Sequence, residues 1–260
     1  MCMQTRLIAV FTGLCVLAAF LLPALPQPLA YHDFADKRNL FGIDNFLDVV
    51  SNLGFLIVGI AGLVIVFGKR AQFEYDSERL PYAAFFVGAL LTALGSAYYH
   101  LAPGNESLFW DRLPMTIAFM ALVCSQIVDR ISIRAGLILL GPMLLIGMAT
   151  VLYWRTSELA GAGNVVPYAI LQGYSVIVVL MLVALSPSRY TRGSVLYWVF
   201  GWYVMSKLFE AFDTQLMELL GGVVSGHTLK HLAAAIAGLV VCHALARRTL
   251  KTTLSPAERR

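Results

Sequence analysis

The sequence predicts an all-α polytopic membrane protein: a seven-transmembrane-helix bundle with one extra helix at its N-terminus. Three observations carry this. Of 260 residues, 59% are hydrophobic and 13% charged, whereas soluble domains carry about 25% charged residues. The apolar residues gather into eight runs, each about 18 to 22 residues long, enough to cross a hydrocarbon core as a helix with its backbone polar groups satisfied. Lysine and arginine concentrate in alternate connections, the pattern that orients a multi-span chain.

The runs cover residues 7–25, 46–67, 82–100, 108–128, 133–153, 165–185, 195–212 and 227–246. The first has two readings. Arg6, an apolar stretch and the proline-rich segment 23–30 suit a signal peptide cleaved near Ala30; the length of the run favours a retained helix. Residues 1–30 therefore form an N-terminal transmembrane helix or signal-anchor, 31–246 the seven-helix domain, and 247–260 a basic tail. Thirteen of the nineteen Lys and Arg residues fall in one set of connections: Arg6; Lys69, Arg70 and Arg79; Arg130 and Arg134; Arg189 and Arg192; and Arg247, Arg248, Lys251, Arg259 and Arg260 in the tail. The other set holds only Lys37, Arg38 and Arg155. Both termini are thus expected to be cytoplasmic. Arg112, Lys207 and Lys230 belong to neither set and lie within or at the edges of helices. The net charge of +4 is accounted for by topology and gives no sign of a nucleic-acid partner. Of Cys2, Cys15, Cys124 and Cys242, three lie in apolar runs and none forms a C-x-x-C pair, which argues against a disulfide framework or a cysteine metal site.

Orientation also sets depth. His100 ends the third run, which travels outward, and Asp111 opens the fourth, which returns. His227 opens the eighth, also inward-going, with His231 one turn deeper. Three histidines and a carboxylate therefore share one layer near the non-cytoplasmic face. Ionisable groups inside a span cost about 2.5 to 3.5 kcal/mol each on insertion scales and usually face the bundle interior.

His227 and His231 stand four apart, about 6 Å along one helix face. That spacing lets both imidazoles reach one metal ion; an interfacial histidine beside a core histidine is the plainer alternative, and His100 at the same level tips the balance toward metal. Histidine ligation with an open position suits Zn²⁺. Ser96 lies one turn before His100 on its face, placed to hold the metal's water or to donate to an oxyanion; a bond to the carbonyl four residues back is the competing role. Asp111 either complements a helix dipole and pairs with Arg112, or serves as the acid–base group. Ser51 and Asn52 read as helix–helix hydrogen bonding. Glu210 and Asp213 support the site or its loop, and His243, near the inner end of its helix, is structural or interfacial. The acidic loop holding Asp33, Asp36, Asn39, Asp44 and Asn45 crowds hard oxygen ligands of the kind Ca²⁺ takes, although Lys37 and Arg38 neutralise part of it.

Ser96-x-x-x-His100, Asp111, and His227-x-x-x-His231 in the last span together resemble the alkaline ceramidase family, whose wider superfamily includes the adiponectin and progestin receptors. The segments Asp33-Phe34-Ala35-Asp36 and Phe46-Leu47-Asp48-Val49-Val50-Ser51-Asn52 are also similar to that family's amino-terminal part, and the resemblance runs in order over residues 31–246. It implies that His100, His227 and His231 bind zinc, that Asp111 assists the zinc water and that Ser96 helps position it. It also implies Ca²⁺ in the loop, where Asp33, Asp36 and Asn39 match; Asn45 stands where a glutamate is expected, and the spacing is shifted. The extra helix 7–25 departs from the family's seven spans, as in a bacterial-type member.

The expected function is a zinc-dependent intramembrane amidohydrolase that cleaves a ceramide-like membrane lipid, in a bacterial inner membrane, with its site toward the non-cytoplasmic side. Two rivals stand beside it: a zinc-containing lipid-binding receptor without turnover, and a proton-relaying transporter, which the lack of internal repeats and broken midplane helices disfavours. All of these turn on whether His100, His227 and His231 converge.

Overall fold

A computed structural model describes residues 3–251. All regular structure among them is helical, apart from two isolated bridges, Leu40 with Ile43 and Tyr190 with Leu250. The helices are α1 (Met3–Leu21), α2 (Phe46–Val50), α3 (Leu53–Phe67), α4 (Arg79–Leu101), α5 (Asn105–Arg130), α6 (Ile133–Leu159), α7 (Val166–Leu185), α8 (Leu196–Ala211), α9 (Asp213–Leu219) and α10 (Gly226–Arg247). Seven segments are long and apolar enough to cross a membrane: α1, α2 with α3, α4, α5, α6, α7 and α10.

The seventh expected span, 195–212, is a shorter helix. With 16 residues, α8 rises about 24 Å, less than the roughly 30 Å of a hydrocarbon core. Phe212 leaves helical geometry and α9 continues beyond it. The run 108–128 starts earlier than its apolar residues suggest, because the polar residues Asn105, Glu106 and Ser107 are already helical. Asp111 consequently sits in the second turn of α5, past the region where a helix dipole acts most strongly. The proline-rich segment ends α1 at Leu21, and α1 docks on α7: Gln4 Nε2 donates to the Leu185 carbonyl at 2.6 Å, and Phe11 stacks on Tyr174.

Six helices close a ring. α4 lies between α3 and α5, α7 bridges α5 and α8, and α10 packs on both α8 and α3. α6 packs outside the ring against α5 and α7. Small residues set the close approaches, as is usual where helices meet in lipid. A methyl group at Gly95 of α4 would lie 2.0 Å from the Trp110 carbonyl oxygen of α5. Gly95 therefore allows the backbone contact that brings Ser96 and His100 up to Asp111. Gly95→Ala is expected to destabilise the bundle by about 1–3 kcal/mol, read as a lowered unfolding temperature in detergent.

The ring's end remote from the histidines is tied by ion pairs. Arg189 reaches Glu74 at 3.0 Å and Glu78 at 3.2 Å, and its backbone N–H donates to Asp129 at 3.1 Å. Arg248 stacks 3.9 Å above the Tyr190 ring. Several of the basic residues that mark this end thus also lock its loops together. Cys15, Cys124 and Cys242 are free thiols; Cys2 and residues 252–260 of the tail lie outside the described residues.

Candidate metal centre

His100 comes from the last turn of α4, and His227 and His231 from the first two turns of α10. The three rings converge, with centroids 4.8 Å apart for His100–His227, 4.9 Å for His100–His231 and 4.8 Å for His227–His231. One ligand nitrogen or more from each lies within 4.8 Å of the others. Among the described residues this is the one group of three or more His, Cys, Asp or Glu side chains that comes together in this way. All three histidines are buried, none more than 4% exposed.

Local folding explains the arrangement of α10. Ser225 caps the helix by accepting from the Thr228 N–H at 2.9 Å, a standard use of a serine at this position. Asp213 accepts the His227 N–H at 2.7 Å and the Ala35 N–H at 3.0 Å, so it joins the helix start to the loop before α2. Gly226 allows the tight packing here, since a methyl group there would lie 2.3 Å from the Phe209 carbonyl oxygen. Asp48, fully buried, accepts from Thr228 at 2.6 Å and from Ser225 at 3.2 Å, pinning α2 against the same turn.

The ring contacts match a metal site. Ser51 Oγ lies 2.7 Å from His231 Nδ1, which leaves Nε2 for an ion, the usual division of labour between the two nitrogens of a liganding imidazole. His100 Nδ1 is buried with no hydrogen-bond partner among the described residues. Buried polar atoms are seldom left so, and a metal would supply the missing partner. The donor set suits a divalent transition metal, zinc among them. Ser51→Ala should weaken metal binding by about 10- to 100-fold, measured by competition with a chromogenic chelator.

Ser96 and Asp111 meet as well. Both are buried and line the same cavity. Arg112 turns away from Asp111: its Nη2 donates to Gln27 Oε1 at 2.7 Å, and its guanidinium lies over Trp154 at 4.5 Å. Ser96, Asp111 and His231 line a cavity of about 430 Å³ bounded by the six ring helices and the segment before α2. The rest of its wall is mainly apolar, with Phe85, Phe119, Leu122, Val179 and Val199 among its residues.

The loop oxygens do not gather in the same fashion. Asp33 pairs with Lys37 at 2.5 Å, Asn39 donates to Asp44 at 2.8 Å, and Asn45 donates to the His100 carbonyl at 2.8 Å. Both oxygens of Asp36 are taken by Arg38, at 2.8 and 2.6 Å. Burial alone would raise the Asp36 pKa, yet Arg38 holds it below the ordinary carboxylate range. Arg38 also donates to the carbonyls of Gly222 and Val223, ahead of α10. Each of these residues ties the loop to its surroundings. His243 lies on α10 far from the triad and lines a separate groove with Trp198 and Trp202.

Three participants were not legible in the sequence. Phe34 covers the triad, with its ring 4.6 Å from His100 and 4.4 Å from His227. Ser51 makes the expected helix–helix hydrogen bond, but its partner is a candidate ligand. Lys230 Nζ lies 3.5 Å from His227 Nε2 and pairs with Glu210 at 2.5 Å, while Lys207 holds the other Glu210 oxygen at 2.7 Å. Comparison with protein-family models and with curated proteins finds no match.

Proposed function

We propose that this protein is a zinc-dependent intramembrane amidohydrolase of the ceramidase type, cleaving the amide of a ceramide-like lipid to a long-chain base and a fatty acid. The observation that carries the reading is three buried, converging imidazoles, one of which, His231, lines a mainly apolar cavity of about 430 Å³ together with Ser96 and Asp111, a size within the range of small-molecule sites. His100, His227 and His231 would hold the ion. A zinc ion so bound supplies Lewis acidity, which makes water nucleophilic near neutral pH and polarises a carbonyl.

The chain's own groups provide the remaining chemistry. Hydrolysis adds hydroxide to the acyl carbon and breaks the C–N bond. Asp111 takes the proton of the attacking water on a carboxylate oxygen and returns it to the departing nitrogen. Ser96, which lines the same cavity, would donate to that carboxylate and keep it turned toward the reacting atoms. Ser51 fixes the ring of His231. Phe34 covers the imidazoles and limits access of bulk water, which strengthens every electrostatic contact beneath it. The apolar wall receives the acyl chain with the amide at the polar end. Placement of the site near the non-cytoplasmic face of the membrane follows from the lysine and arginine distribution.

Release of labelled fatty acid from N-acyl sphingosines by purified protein in mixed micelles tests the proposal. Turnover that disappears with zinc chelation and returns on adding zinc is expected. Retained zinc and bound lipid, with no release from any amide or ester, would replace the hydrolase with a lipid-binding receptor.

A further inference from the structure

The topology leaves three basic residues unexplained, since Arg112, Lys207 and Lys230 lie in neither set of connections. All three line the same cavity as Ser96, Asp111 and His231. We infer that the substrate is an N-acyl lipid whose head carries a carboxylate or sulfonate close to the amide, bound by Arg112 and the Lys207–Lys230 pair. This deepens the amidohydrolase reading and rests on it for the identity of the scissile bond.

Arg112 is 5% exposed, and its planar group is held on several sides. Gln27 takes Nη2, and the rings of Trp154, Tyr168 and Tyr31 lie 4.5, 4.9 and 5.3 Å from the guanidinium carbon. Nη1 is buried with no hydrogen-bond partner among the described residues. A buried charged donor without an acceptor is costly, and the guanidinium fork matches an oxyanion better than any neutral head group.

Charge on the second wall points the same way. Lys207 and Lys230 bind opposite oxygens of Glu210, at 2.7 and 2.5 Å, so one carboxylate serves two ammonium groups. Across the cavity lining, three cations face two carboxylates, Asp111 and Glu210. A divalent ion at the triad would add to that excess. Charges retained within helices of a membrane bundle generally serve a ligand or a pathway. An anionic head supplies both the acceptor Arg112 lacks and the missing negative charge, while its acyl chain occupies the apolar wall.

Binding separates this inference from the reaction. Dissociation constants for N-palmitoylglycine and N-palmitoyltaurine would be compared with that for neutral N-palmitoylethanolamine, in the same detergent, on wild type, Arg112→Gln and Lys230→Met. The expected result is about tenfold tighter binding of at least one anionic lipid by wild type, the effect of one charge-assisted hydrogen bond, with the preference largely lost in Arg112→Gln. Equal binding of all three lipids by wild type would overturn the inference without any variant. So would a preference that survives unchanged in both variants. Anion-selective binding with no turnover would remove the hydrolase reading and uphold the inference; cleavage of neutral amides as fast as anionic ones, without anion-selective binding, would do the reverse.

Discussion

Alanine at His231 is expected to empty the metal site and to stop turnover. Two imidazoles would remain, from helices α4 and α10, with the Ser51 hydroxyl left facing a void where the His231 ring stood. Changes outside the immediate ligands of a metal cost about 10- to 100-fold in affinity or activity, so loss of a ligand should exceed about 100-fold in fatty acid release. The second readout is metal content: about one zinc per wild-type chain, and little in the variant after passage over a chelating resin. The fold should persist, because the ring's closure depends on contacts of α10 with α8 and α3 along its length. Its elution as a single species and a near-normal unfolding temperature would show this. A variant that kept both its metal and its activity would show that the three rings converge for some other reason.

Much of this centre is legible in the sequence because it follows from two periodicities. The separation of His227 and His231 by four residues is a helix-face statement. The depth of His100 and Asp111 follows from counting spans and assigning their direction by lysine and arginine. The side-chain partners are less accessible. Ser51 lies 180 residues from His231, and its place in an apolar run makes it look like any serine that bonds helix to helix. Phe34 carries no polar signal, yet its position in the loop sets it over the imidazoles.

The acidic loop shows the opposite difficulty. Its composition is that of an oxygen-rich cation site, but composition cannot say which side chains will pair. Arg38 lies two residues from Asp36, where both carboxylate oxygens are within its reach, and the same guanidinium then ties the loop to the chain ahead of α10. Helix limits set by hydropathy also fail where polar residues are helical. Asn105, Glu106 and Ser107 extend α5 toward the loop, which moves Asp111 into the second turn and weakens a dipole account of it. In α8 hydropathy places the helix almost correctly, but the helix stops at Ala211, short of a full crossing.

Asp111→Asn tests the acid–base assignment with the least disturbance to shape. The amide keeps the volume of the carboxylate, so packing along the α4–α5 contact at Gly95 should be preserved. What it loses is the capacity to take a proton from water and to deliver one to the leaving nitrogen. General acid–base groups contribute about 10²- to 10⁴-fold, and a loss of that size should appear in kcat. KM and zinc content should stay close to wild type, because Asp111 is not among the three converging donors. Ser96→Ala should show a smaller decrease, since it removes only the hydroxyl that orients the carboxylate. A pairing of unchanged kcat with normal zinc in Asp111→Asn would mean that the proton travels by another route, with Glu210, on the facing wall of the cavity, the next carboxylate to replace.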